Sequence, residues 1–261
     1  MTPLTSYQRR LLVFLSVATF FEGYDFLALM QVLPALRKSF EIDHAAAGVL
    51  FTVVNAGTIM AYLLIRKADR WGRKRVLGIT IAGYATFTGL SGLAPNIYVF
   101  GLLQLAARVF LVAEYATAMV VAAEEFPADR RGMALGVIQT FTSLGGILCA
   151  ALVPMLVKTE YGWRSVYLVG VIPLLILAYA RRSLKETQRF AATAGSAGTG
   201  PGSSFFAILQ GPYRKRVLQL GAIWFLSYLT MQNAISFWKD YALTERGLSE
   251  TQAGRYIAGA A

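Results

Sequence analysis

The chain of 261 residues holds one cysteine, Cys149, and one histidine, His44. A lone cysteine forbids an internal disulfide. One cysteine and one histidine also leave no basis for a metal cluster or a histidine-based catalytic triad, so no metal, no cofactor and no enzyme activity is expected. Charge is scarce as well. Asp, Glu, Lys and Arg make up 15% of the residues, against about 25% in soluble globular domains, and a soluble enzyme is thereby nearly excluded. Among the few charges, those of negative sign are fewest: 14 acidic residues stand against 25 basic ones, a net charge of +11.

What the sequence has is apolar length. Hydrophobic residues reach 56% and mean hydropathy is +0.52. A bilayer crossing takes about 20 residues, so the chain has room for roughly seven or eight. Seven apolar stretches are long enough or nearly so: 11–33, 47–65, 76–94, 97–121, 132–157, 165–180 and 217–238. An eighth starts near Glu250 and runs only about 12 residues to Ala261, short of a span. The chain is therefore expected to end inside a helix, as a fragment or a truncated reading frame would. The first stretch is too long for a cleavable signal and carries Glu22 and Asp25 in its middle.

The basic excess has a topological reading that needs no nucleic acid. Segments 1–10, 66–75, 122–131 and 181–216 carry 17 Lys and Arg, while 34–46, 95–96, 158–164 and 239–249 carry 6. Cytoplasmic loops are enriched in Lys and Arg, so the N-terminus and the first set of loops are expected in the cytoplasm. Residues 189–205 are rich in Gly, Ala, Ser and Thr, as flexible linkers are. The expected organisation is a six-helix bundle over 1–188, a cytoplasmic linker over 189–205 and the start of a second bundle over 206–261.

An internal repeat supports this division. An offset of 206 residues lays 11–32 on 217–238 and Ala47-Gly48 on Ala253-Gly254, with cap-type residues at Asp43 and Ser249. Ser249 with Gln252 reads as a capping box. Two parallel six-helix halves describe a large class of secondary transporters.

The loop Asp69-Arg70-Trp71-Gly72-Arg73-Lys74 resembles the signature between helices 2 and 3 of the major facilitator superfamily, with Ile65 in place of its leading glycine. Gly23-Tyr24-Asp25 in helix 1 is similar to the motif of sugar porters and, with Glu22, to that of aromatic-acid:proton symporters. The segment Glu125 to Gly132, which includes Arg131, resembles the loop between helices 4 and 5 of the same clan. Glu186-Thr187-Gln188-Arg189-Phe190 is similar to its helix-6 ending, Gln188 replacing a proline. The resemblance implies an all-α membrane protein: one six-helix half of a twelve-helix major facilitator fold, plus helix 7 and the start of helix 8. It further implies proton-coupled symport of a small hydrophilic metabolite, a sugar or an organic or aromatic acid, in the cell inner membrane. The expected partners are the bilayer, substrate and protons, with a second half or a dimer partner completing the fold. The competing readings are an efflux antiporter and a truncated membrane protein that does not transport.

The polar residues inside the spans name the candidate site. A carboxylate at mid-bilayer costs about 2.5–3.5 kcal/mol on insertion scales. Helix 1 nevertheless carries Glu22 and Asp25, three apart and so on one face. Helix 4 carries Arg108 and Glu114. These four are the proton-coupling candidates, with Arg108 able to neutralise Asp25 or to fork onto a substrate carboxylate. Gln139 and Ser143 on helix 5 and Tyr228, Gln232 and Asn233 on helix 7 are the substrate-contact candidates; neutral polar residues at such positions equally serve as glue between helices. Gly145-Gly146 reads as close packing. Asp69, Arg70, Gly72, Arg73, Lys74, Glu124, Glu125 and Arg131 form the candidate gating loops, in which the resemblance implies a pair between Arg73 and Glu124 or Glu125. His44 is expected to be solvated.

Overall fold

The structure is a computed structural model that describes residues 3–180, 211–212 and 214–260. The side chains at 69–70, 172–174, 176–180, 230–234, 258 and 260 lie outside that description, as does the linker 189–205. The described residues form helices only: α1 (Ser6–Phe40), α2 (His44–Trp71), α3 (Arg73–Ser91), α4 (Ile97–Glu125), α5 (Ala128–Leu156), α6 (Arg164–Ala180), α7 (Arg214–Thr244) and α8 (Glu250–Ala260). Four of these, α1, α2, α4 and α5, are long and apolar enough to cross a membrane.

The helix starts follow local chemistry. Thr5 and Gln8 close a capping box on α1. Asp43 accepts from Ala46 N–H at 2.7 Å and Asn96 from Val99 N–H at 2.9 Å, capping α2 and α4. Such caps satisfy N–H groups that a helix start leaves without partners. The expected box at α8 is present: Ser249 N–H donates to Gln252 Oε1 at 2.9 Å and Gln252 N–H to Ser249 Oγ at 3.3 Å. Both caps of the repeat are therefore made.

Two expected loops turn out to be mostly helical. Its charge and hydropathy mark 66–75 as a loop, yet α2 runs to Trp71 and α3 starts at Arg73. Only Gly72 interrupts them, at φ 91°, a conformation that disfavours any residue with a Cβ. Likewise α1 runs on to Phe40 through the segment expected to leave the membrane at 34. Hydropathy marks where apolar surface ends, not where helical hydrogen bonding ends.

The packing of α1 on α5 sets the frame. A Cβ on Gly23 would collide with the Thr142 carbonyl, and one on Gly145 with the Phe20 carbonyl. The two glycines thus let the backbones touch, as small residues do between membrane helices. Gly146 has looser surroundings, its nearest neighbour Leu27 Cδ2 lying 3.8 Å from a built Cβ. Helix α2 crosses α4 at Gly57, against the Leu105 carbonyl and the stem of Arg108. Helix α8 lies on α5, with Gly254 over the Ala150 carbonyl. At the end bearing the α1–α2 turn, Phe100, Trp163 and Tyr167 pack edge to face and Phe40 lies tilted against Trp163, forming an aromatic cluster.

Candidate functional site

Three consecutive residues of α1 point to three other helices. Gly23 meets α5, the Tyr24 hydroxyl donates to the Val166 carbonyl on α6 at 3.3 Å, and Asp25 meets α3. Successive residues on a helix are about 100° apart, so one motif can fix three contacts.

Asp25 is the centre of the buried polar cluster. Thr88 Oγ1 donates to its Oδ2 at 3.2 Å. The Tyr84 hydroxyl donates to the Phe21 carbonyl at 3.4 Å and lies within electrostatic reach of the same carboxyl. Both hydroxyls sit on α3, four residues apart and so on one face. Arg108 of α4 is 6% exposed, and Asp25 is the foremost charge acting on it. Its guanidinium lies 4.8 Å from the ring centre of Phe26. The hydroxyls of Tyr84, Tyr167 and Tyr228 also fall within electrostatic reach of it. Asp25 and Arg108 are within electrostatic reach of one another, and so is Tyr228 of α7. A buried guanidinium facing one carboxylate and several hydroxyls is suited to exchanging that carboxylate for a ligand's.

Glu22 is buried too, and its charge acts on Tyr84 and Tyr115. Tyr115 donates to Gln139 Oε1 at 2.6 Å, bridging α4 to α5. Gln139 and Ser143 are exposed on one side of α5. Glu114 is fully buried and turns toward α3, where Thr80 Oγ1 donates to its Oε2 at 3.2 Å. It therefore has a different α3 donor from Asp25. The side chains of Gln232 and Asn233 lie outside the described residues, as do those of Asp69 and Arg70. Tyr84, Thr88 and Tyr115 were missed from sequence; the available signal was a hydroxyl recurring at i and i+4 along an apolar helix.

At the end that carries the α2–α3 and α4–α5 loops, Arg73 Nη1 donates to the Ala68 carbonyl at 3.1 Å and Nη2 to Glu124 Oε1 at 3.2 Å. Glu124 is one of the two acids that the resemblance implied as partner of Arg73. The backbone carbonyl of Glu125 accepts from Gln8 Nε2 at 2.7 Å. Lys74 and Arg131 are exposed. Lys67 and Arg75 lie 4.3 and 5.8 Å from the Trp71 ring centre.

The opposite end holds an ion network that sequence reading did not anticipate. Arg37 Nη1 of α1 donates to both carboxylate oxygens of Asp240 on α7, at 2.8 and 2.7 Å. His44 Nδ1 lies 3.1 Å from Asp240 Oδ2. The side chain of His44 is 60% exposed, as expected of a solvated residue, while its Nδ1 also approaches Asp240. The cause is α7, whose approach brings a carboxylate to the α2 start. Lys239, 2% exposed, donates to the Gln31 carbonyl at 2.7 Å and pairs with Glu250 at 2.8 Å.

The model of the Major Facilitator Superfamily matches residues 15–261. The chain belongs to that superfamily. It is similar to the sialic acid transporter NanX of Escherichia coli, 29% identical over 184 residues, covering 70% of this chain and 45% of that protein. It is also similar to a putative metabolite transport protein of Haemophilus influenzae, 32% identical over 189 residues, covering 71% and 46%. A gallate transporter of Pseudomonas putida is 30% identical over 196 residues, covering 73% and 42%. The chain spans about half the length of these curated relatives. Among solved structures, an inward-facing bacterial homolog of the human lysosomal transporter Spinster matches with TM-score 0.78 at 19% identity, covering 98% of this chain and 60% of that one. A D-xylose-proton symporter matches with TM-score 0.76 at 16% identity, covering 97% and 65%. The all-helical major facilitator fold expected from the loop motifs is therefore the fold observed.

Proposed function

We propose that this chain supplies the first bundle and the start of the second in a proton-coupled symporter of small hydrophilic metabolites bearing a carboxylate, an organic, aromatic or sugar acid. The carrying observation is the buried group of Asp25, Thr88, Tyr84 and Arg108 joining α1, α3 and α4. Relatives named for sialic acid, gallate and 4-hydroxybenzoate support the substrate class. In this mechanism a proton from outside adds to the Asp25 carboxylate. Loss of that negative charge frees the Arg108 guanidinium, whose paired N–H donors suit a planar carboxylate. Tyr228, Gln139 and Ser143 stand on the sides of α7 and α5 from which substrate hydroxyls can be met. Reorientation of one bundle against the other then carries both ligands across, and deprotonation of Asp25 restores its hold on Arg108.

The proposed topology puts the N-terminus, the α2–α3 and α4–α5 loops and the 189–205 linker in the cytoplasm of an inner-membrane protein, on the 17-to-6 split of basic residues. Residues 1–188 form the first bundle and 206–261 begin the second. Reporter fusions at Pro95 and Ser196 should fall on opposite sides; the same side for both would refute the topology. For function, the test is uptake of gallate, 4-hydroxybenzoate and sialic acid by membrane vesicles in which this chain is joined to the remainder of a second bundle. At least one should accumulate only under an inward proton gradient, and accumulation that a protonophore leaves intact would refute proton coupling.

A further inference from the structure

Four buried polar atoms have no hydrogen-bond partner among the described residues and lie toward one end of the first bundle. They are Gln31 Oε1 on α1, Gln104 Nε2 on α4, the Tyr167 hydroxyl on α6 and Trp163 Nε1 in the turn before it. None of the four residues is more than 5% exposed. A buried polar group left without a partner costs about 1–3 kcal/mol, so several in one region call for an occupant.

Contacts place them in a row. On α4, Phe100, Gln104 and Arg108 follow at four-residue intervals and are all buried, so they share one inward face. The Tyr167 ring centre lies 5.7 Å from that of Phe100, and its hydroxyl is within electrostatic reach of Arg108 and Asp25. The Tyr167 side chain therefore runs alongside Gln104, from the level of Phe100 to that of Arg108. Trp163, one turn before Tyr167, packs on Phe100 at 5.4 Å and on Tyr167 at 6.2 Å, at the aromatic end of the bundle. Gln31 is seven residues past Tyr24 and so on the same face of α1. Tyr24 bonds Val166, the neighbour of Tyr167. The row leads from the aromatic end, which the proposed topology turns outward, to the Asp25 carboxyl.

The mixture of donors and acceptors names the occupant. Gln104 Nε2 and Trp163 Nε1 only donate, Gln31 Oε1 only accepts, and a hydroxyl does either. A cation would face the Arg108 guanidinium and the N–H donors. An anion would face Gln31 Oε1 and the Asp25 carboxylate. Water both accepts and donates, and a buried water typically makes about three bonds to groups of this kind. The titratable groups facing Asp25 are Arg108 of α4, Tyr84 of α3, Tyr167 of α6 and Cys149 of α5, with Glu22 and Tyr24 on its own helix. The Tyr84 and Tyr24 hydroxyls already donate to the Phe21 and Val166 carbonyls. Among these phenols, Tyr167 is left to bond water.

We infer that Gln104 and Tyr167, with Gln31 and Trp163, hold a short chain of buried water between α1, α4 and α6, and that this chain brings the proton to Asp25 from the aromatic end of the bundle. The water site stands on the unpartnered side chains; its use as a route rests on the proton-coupling reading of Asp25. Each water takes a proton from behind and gives one ahead, so only O–H bonds are exchanged and Asp25 gains the proton. Gln104 and Tyr167 are positioning residues that hold the water in line. The route lies inside the first bundle, so proton and substrate reach the Asp25–Arg108 region from different sides.

Infrared spectroscopy of the full chain in lipid nanodiscs tests both parts without transport. Bands of buried water shift when the solvent is replaced by heavy-oxygen water, and the carbonyl band of protonated Asp25 is the one that Asp25→Asn removes. Gln104→Leu and Tyr167→Phe should each abolish a water band seen in the unaltered chain and slow hydrogen–deuterium exchange at the Asp25 carboxyl about tenfold or more. Ser16→Ala removes another buried hydroxyl without a partner, nine residues before Asp25 on α1, and should do neither. A water band that survives both variants would overturn the water site. Its loss with Asp25 exchange unchanged would overturn the route. Faster amide exchange along α4 and α6 in both variants would make the two residues props of the fold and overturn the proposal. An Asp25 carbonyl band that appears at no pH would refute proton coupling at Asp25 itself, and the route with it, while the water band still decides the site.

Discussion

The two ends of the molecule are each tied by an Arg–carboxylate pair, but the pairs have different reach. At one end Arg73 binds Glu124, joining α3 to α4 within the first bundle. At the other Arg37 binds Asp240, joining α1 to α7 across the expected boundary between bundles. The chemistry is the same and the burial similar, with Arg73 at 13% and Arg37 at 15% side-chain exposure. What differs is whether the partners fall within the proposed first bundle or on either side of its proposed boundary. Contact chemistry alone does not distinguish the two.

The contrast presupposes a first bundle that stays whole, and the largest effect comes from breaking that. Gly145→Val drives side-chain carbon into the Phe20 carbonyl, so the α1–α5 contact must separate. The cost should be about 3 kcal/mol or more, at or beyond the upper range for overpacking. Gly146→Ala, one residue along, should be tolerated. Detergent size-exclusion profiles and thermal unfolding read both; a well-folded Gly145→Val protein would remove the common frame on which the two ends depend.

Asp25→Asn acts between the ends and should spare both. The amide keeps a bond to Thr88 but cannot exchange a proton at working pH. Proton-driven accumulation should fall at least tenfold while the thermal midpoint changes little. Unchanged accumulation would move proton coupling to Glu22 or Glu114.

A sharper contrast comes from double-mutant cycles. Arg73→Gln with Glu124→Gln should show a coupling of about 0.5–1 kcal/mol, as for partly buried neighbours, and the doubly bonded Arg37–Asp240 pair a larger one. Equal coupling in the two cycles would remove the contrast between the ends. The smallest effect belongs to His44→Gln. Its side chain is largely exposed, so its loss should cost no more than about 1 kcal/mol. A larger loss in thermal unfolding would make His44 a principal member of the network around Asp240.

The legible parts of the sequence share a physical basis. Each is settled within a few residues of itself. Transfer into a bilayer is set by the hydropathy of some 20 consecutive residues, so the order of the helices could be read directly. Capping depends on residues three apart, so Asp43 and the Ser249–Gln252 box could be read too. A positive φ suits glycine, which accounts for Gly72 between α2 and α3. The intramembrane charges Glu22, Asp25, Arg108 and Glu114 stood out because each is costly where it sits, and cost marks a residue without naming its partner.

Partners were decided by helix crossings. Whether Asp25 would face Thr88 and Tyr84, or Glu114 face Thr80, depends on how α3 rotates against α1 and α4. That rotation is set by packing at positions such as Gly83, whose built Cβ would press on the Phe110 ring at 2.7 Å. The network of Arg37, His44, Lys239 and Asp240 was hidden for the same reason. Its members flank the apolar runs, where charged residues are ordinary, and more than 190 positions separate the α1–α2 members from the α7 pair. By itself the sequence determined the order of the apolar helices, several of their caps and which buried charges demand an explanation, because these follow from local hydropathy and hydrogen bonding, while the helix ends at 34–40 and 66–75 escaped it. Only the tertiary structure decided which charges meet and which helices they join, because that depends on the angles and depths at which helices distant in sequence pack together.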